Sequence, residues 1–202
     1  MSNTQHSSSH GKLIAVLIAA ALVIILALIS AFVWPGWALN GQTQPATQET
    51  TTSTESSTPT ISATPLPEDA TELLKSMPDS VLNFARTAAS PSATWGSSSP
   101  LEEYTMTYST GEDALNITLI AAQWSAADNA KTQYDALVGG LSGQELSSGN
   151  VKVNGSTVGS YTVKTDASDD TKAVAVWQND TAVFQASGLK ESVLRFYEKF
   201  PM

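Results

Sequence analysis

Between Lys12 and Pro35 lie 22 residues without a charge, and Ser30 is the only strongly polar one among them. As a helix rising about 1.5 Å per residue they reach roughly 33 Å, enough to cross a hydrocarbon core of ~30 Å. A secretory signal has a shorter apolar core, typically ~7–15 residues, and ends at a small-residue cleavage site. Here the run ends on Trp34-Pro35-Gly36-Trp37. Two tryptophans a few residues apart suit an interfacial belt, and Pro35 and Gly36 stop the helix between them. The expectation is an uncleaved transmembrane helix over residues 13–34, with Trp34 and Trp37 at the membrane interface. The chain has no Cys, which excludes a lipoprotein anchor.

Lys12 precedes the span, and no Lys or Arg follows it until Lys75. Positive charge stays on the cytoplasmic side, so residues 1–12 read as a cytoplasmic tail and the C-terminal part as lying outside. This places the protein in the cell membrane as a single-pass chain. Gly11, Ala15 and Ala19 recur at a spacing that lets helices approach in lipid. Alanine is also a common filler in such spans.

Residues 35–67 read as a disordered linker. Over half of residues 42–66 are Ser or Thr, interrupted by Pro45, Pro59 and Pro65. Such a stretch has too little apolar surface to offset its ordering entropy. From Glu68 the composition changes, and residues 68–202 have the length of one ordinary domain. With nine Lys/Arg against seventeen Asp/Glu, this part is acidic, a poor balance for nucleic acid. Without disulfides its stability must come from its core.

Apolar spacing gives the outline of that domain. Ala70, Leu73, Leu74 and Met77 share one face of a short helix. Tyr104, Met106 and Tyr108 alternate with threonines, and Leu115, Ile117, Leu119 and Ala121 form the returning strand. Ser125 reads as an N-cap for a helix bearing Ala127, Ala130, Tyr134, Leu137 and Leu141 on one stripe. Asn154-Gly155 marks a type I′ hairpin, and a second hairpin turns at Asn179-Asp180. Gly188 opens a final helix with Leu189, Val193, Phe196, Tyr197 and Phe200 as its buried face. The expected class is α+β: a two-layer sandwich of one antiparallel sheet with its helices on one face.

Three pieces of the C-terminal third carry a resemblance: Val158-Gly159-Ser160-Tyr161, the run from Ala175 through Trp177 to Phe184, and a helix ending in Phe196-Tyr197. With these the chain resembles small actinobacterial membrane-anchored surface proteins of unknown function, and its element order is similar to the Mog1/PsbP-like sandwich. The likeness covers about the last 120 residues. It implies a binding or assembly factor more readily than an enzyme, and it brings no set of functional residues to this chain.

Chemical motifs are sparse. His6 and His10 are the only histidines, and both precede the span. That removes His-based nucleophilic schemes and nearly all zinc chemistry from the outer domain. Ser187-Gly188-Leu189-Lys190 matches S-x-x-K but lacks the companion boxes of that chemistry. Asp166, Asp169 and Asp170 cluster without the spacing of a calcium loop. Asn116, Asn154 and Asn179 each head an N-glycosylation triplet. Residues 87–100 read as a long loop around Trp95, which is the candidate partner contact or else a lid on the core. No cofactor, metal ligand or catalytic residue is assigned. The expected role is a membrane-anchored, extracytoplasmic binding or accessory module of the cell envelope, held by the lipid bilayer through residues 13–34. Its expected partner is an envelope or membrane protein, not nucleic acid. The alternative is an envelope hydrolase using carboxylates drawn together from distant positions.

Overall fold

Sheet formation follows the alternating pattern of the sequence. The computed structural model describes residues 57–201. The expectations for the tail, the span, the first part of the linker, Trp34 and Trp37 lie outside the described residues. Among the described residues no helix is long and apolar enough to cross a membrane. A short helix α1 (Glu72–Ser76) leads into β1 (Ser80–Val81), β2 (Phe84–Pro91), β3 (Glu102–Ser109) and β4 (Ile117–Gln123). Helix α2 (Ala127–Gly140) then precedes β5 (Glu145–Val153), β6 (Ser156–Thr165), β7 (Lys172–Asn179) and β8 (Ala182–Leu189), and α3 (Lys190–Lys199) closes the chain. The strands make one antiparallel sheet in the order β1-β2-β3-β4-β8-β7-β6-β5. The class is therefore α+β with an antiparallel sheet.

The helices do not share one face, which corrects the two-layer expectation. On one face α1 and α3 cover Phe84, Met106, Tyr108, Leu119, Ala121, Trp177 and Phe184. Phe196 of α3 sits at the centre of this core, 4.9 Å from the Tyr108 ring and 5.9 Å from that of Phe84. On the other face α2 packs Ala130 and Tyr134 against Ala122, Val176 and Val183. Neighbouring residues in a strand point to opposite sides, so β4 and β7 must be apolar at consecutive positions to serve both layers. Leu119-Ile120-Ala121-Ala122 and Val174-Ala175-Val176-Trp177 are so.

Local differences have local causes. Strand β2 runs on to Pro91, so the expected loop over residues 87–100 is shorter and begins after a strand. Helix α2 starts beyond Ser125, with Ala126 at its N-cap and no side-chain cap. Gly188 lies within β8, paired with Ala173, and does not open the helix. A Cβ there would come 2.8 Å from the Asn116 carbonyl, so the close approach of the neighbouring chain asks for glycine. The Asn154-Gly155 turn has φ of 51° and 82°, the left-handed pair a type I′ hairpin needs.

Residues 57–67 pack against the domain, so its boundary lies before Glu68. The Thr64 N–H donates to the Arg86 carbonyl at 2.8 Å, and the Thr64 hydroxyl donates to the Thr87 carbonyl at 2.8 Å. Leu66 rests on the core beneath α1 and α3. A fragment starting at Glu68 is expected to be less stable than one starting at Ser57 by about 1–2 kcal/mol, from two hydrogen bonds and one apolar side chain. Paired urea titrations of the two fragments check this, and equal midpoints would mean that the segment contributes nothing.

Candidate functional site

Strand β8 runs directly into α3, and that junction forms the wall of a pocket of about 380 Å³. Leu189 holds the N-cap position and has no side-chain acceptor to offer the first turn. The Lys190 N–H is satisfied by the Thr171 carbonyl at 2.8 Å. Ser192, the third helical residue, is only 5% exposed. Thr110 lines the same pocket, and its hydroxyl is buried without a partner. Buried polar groups are nearly always paired, so this unpaired hydroxyl stands out.

Two cations border the same space. The Lys190 ammonium donates to the Asp170 carbonyl at 3.0 Å. Arg195 donates through Nη2 to Asn83 Oδ1 at 3.2 Å and lies 5.8 Å from the centroid of the Phe84 ring. Phe84, Leu115 and Leu189 supply the apolar lining, and exposed Glu191 is the one carboxylate on the wall. An uncapped helix start with flanking cations favours negative charge.

The residues singled out in the sequence fall elsewhere or act differently. Trp95 is buried at 6% exposure and stacks on Trp124 at 6.3 Å, so its ring offers little surface to a partner. What holds it there is Glu103, a carboxylate only 5% exposed. Glu103 Oε1 accepts from the Ser92 hydroxyl and the Thr94 N–H, each at 2.7 Å, and Oε2 accepts from the Trp95 N–H at 2.9 Å. Trp124 Nε1 donates to the Ser98 carbonyl at 2.9 Å and locks the same loop from below. Nothing in the sequence marked Glu103 as buried, because it sits beside Glu102 at a strand start.

In the aspartate loop, Asp166 Oδ1 accepts from the N–H and hydroxyl of Ser168, and Asp169 Oδ1 does the same with Thr171. These hydrogen bonds hold both carboxyls below the usual aspartate range. Among the described residues no group of three or more His, Cys, Asp or Glu is placed to hold a metal ion. Ser187 pairs within the sheet against Thr118 and Val174, while Lys190 is engaged with Asp170.

Burial raises the phenols of Tyr108 and Tyr197 well above the ordinary value of 10.0. A raised folded value means the folded state keeps protons that the unfolded chain releases. Stability should therefore be complete below about pH 10 and fall as pH rises above it. Thermal melts from pH 8 to about 11 check this, and a flat profile above pH 10 would contradict it.

No protein-family model matches the chain, nor does any curated protein sequence. Among solved structures it is similar to a GTP-binding regulator from Thermotoga maritima, at 12% identity and a TM-score of 0.37. The overlap covers 58% of this chain and 77% of the other. At that TM-score the two do not share an established fold, and no function passes between them.

Proposed function

We propose that this protein is a single-pass membrane protein whose C-terminal domain lies outside the membrane as a binding or accessory module of the cell envelope. The observation that carries this reading is the uncharged run of residues 13–34, followed by a Ser/Thr-rich linker and a folded domain. The N-terminal Lys12 and the absence of Lys or Arg until Lys75 support a cytoplasmic N-terminus. The pocket beside α3 supports binding over catalysis, since it brings together donors and apolar surface without a nucleophile paired to a base. Trp95 is not proposed as its contact residue.

A hydrolase remains the second reading because Glu72 and Asp180 border one cleft of about 460 Å³. Both are exposed, and Glu72 is paired with Lys75 at 3.1 Å.

The full chain is expected to stay in the membrane fraction through high-salt and carbonate washes, because apolar insertion is insensitive to both. Recovery of a soluble product beginning after Trp37 would overturn the anchor. Cross-linking in intact cells is expected to capture an envelope or membrane protein through the domain.

A further inference from the structure

We propose that a second cavity, between the last turn of α3 and the outer strands β5 and β6, binds one pyranose ring of a neutral glycan. The sugar's C–H face lies on Tyr161 and Tyr197, and its hydroxyls meet Lys152 and Glu198. This names a ligand class for the binding module proposed above and rests on that reading. The cavity holds about 290 Å³, a volume for a single ring unit. Its floor is aromatic and fixed in place. Tyr161 pairs with Gly149 of β5 on one side and with Trp177 of β7 on the other. A Cβ at Gly149 would come 2.9 Å from the Tyr161 ring, so the glycine leaves room for that ring over β5. The Tyr161 hydroxyl shares a hydrogen bond with the Ser147 hydroxyl at 3.3 Å, and its ring lies 5.0 Å from that of Tyr197. Tyr197 in turn rests 5.3 Å from Trp177. Both tyrosines are half-buried and line the cavity. A floor already ordered costs a ligand little entropy to use.

The rim is set by a break in the sheet. Neighbouring residues of a regular strand point to opposite faces, yet Val151 and Lys152 line this one cavity. The pairing of β5 with β6 slips register between those two residues, and such a bulge re-aims a side chain. Lys152 and Glu198 are exposed, and among the described residues neither forms an ion pair. One cation and one anion leave the rim without net charge, so an ionic ligand is drawn by one and repelled by the other. The fitting ligand offers acceptors to the ammonium, donors to the carboxylate and an apolar face to the rings. An all-equatorial pyranose, such as a glucose or N-acetylglucosamine unit, carries all three. Asn150 adds an exposed amide that both donates and accepts. A proline-rich peptide brings apolar rings and carbonyls but few donors for Glu198. The Trp177 indole N–H, which would meet such carbonyls, is enclosed. The chain's formal net charge of −9 neither attracts nor repels a neutral sugar, so binding should be insensitive to salt.

The test uses the full chain in nanodiscs of phosphatidylcholine, titrated with cellotriose and with chitotriose by calorimetry. Saturable binding of at least one of them at ~1 mM or tighter is expected, and equally at low and high salt. Lys152→Ala and Glu198→Ala are each expected to weaken it by about fivefold. Both variants should keep the melting temperature, because the two side chains are exposed and make no ion pair within the domain. Irradiating the protein's aromatic protons in a saturation-transfer NMR experiment should reach chiefly the C–H protons of one sugar ring, which reads the stacking without a substitution in the core. Absence of saturable binding by both sugars would overturn the proposal. So would binding indifferent to both substitutions, or binding that weakens steeply with salt. Decaproline binding where both sugars fail would make the groove a peptide site and overturn it too. Membrane retention does not depend on Lys152 or Glu198. If it holds while both sugars fail, the ligand class falls and the tethered-module reading stands.

Discussion

Replacing Arg86 by Ala is expected to destabilise the domain by about 2–4 kcal/mol, the scale of losing buried hydrogen bonds from a charged donor together with the packing of its side chain. Arg86 is 1% exposed. Its Nη1 donates to the carbonyls of Met77 at 3.1 Å and Pro78 at 3.0 Å, and its Nη2 donates to Asp79 Oδ1 at 2.7 Å. The side chain therefore pins the turn between α1 and β1 to the sheet. Its loss leaves the Met77 carbonyl short of a donor and opens a cavity. The Pro78 carbonyl keeps the Tyr108 hydroxyl at 2.8 Å. The Asp79 side chain is 79% exposed, so its carboxylate regains water and adds little to the cost. Arg86→Lys should recover only a small part, because an ammonium cannot reach the separate acceptors as the planar fork does. Denaturant titrations of both variants decide the matter. A loss under about 1 kcal/mol for the Ala variant would mean that water replaces the guanidinium.

Replacing Glu103 by Ala is expected to cost about 2–4 kcal/mol, since hydrogen bonds to a charged acceptor are the stronger kind and three donors lose theirs together. The Thr94 and Trp95 N–H groups and the Ser92 hydroxyl all converge on that carboxylate. Without it the loop should loosen and the Trp95–Trp124 stack should weaken. Near-ultraviolet circular dichroism reads that stack directly, while a denaturant titration reads the stability. Glu103→Gln keeps one acceptor oxygen and should fall between the wild type and Ala. An unaltered aromatic signal in the Ala variant would show that Trp124 alone seats the loop.

How much of this was legible in the sequence depended on whether a residue's neighbours in space were also its neighbours in the chain. Tyr104, Met106 and Tyr108, the Asn154-Gly155 turn and the apolar stripe of α3 are local patterns, and they lie where those patterns put them. Residues 81–86 read as a short extended piece, but the rest of β2 was hidden because Thr-Ala-Ala-Ser-Pro has little strand propensity of its own. Pairing with β3 overrides that composition. The second helical layer was readable in principle. Four consecutive apolar residues in β4, and four more in β7, are the mark of strands buried on both sides. Residues 57–67 read as linker because their Ser, Thr and Pro carry little core signal, and their attachment runs largely through hydrogen bonds to backbone carbonyls of the domain. The pocket beside α3 was not legible at all. It assembles Phe84, Thr110 and Arg195 from three separated stretches, and an unpaired hydroxyl has no signature in a string of residues.

The two borders of the sheet are finished differently, and this bears on how copies of the domain behave when crowded. At one border β1 and the backbone of Thr64 occupy the outer side of β2. At the other, β5 is an exposed nine-residue strand with nothing beyond it in the strand order. Its pairing to β6 slips register twice, between Glu145 and Ser147 and between Val151 and Lys152. Each irregularity turns part of the free N–H and C=O row out of line, and the Glu145 and Lys152 charges sit at these breaks. A straight strand from a second molecule finds no continuous ladder to extend. Domains confined to a surface at high local density should therefore remain separate particles instead of zipping edge to edge.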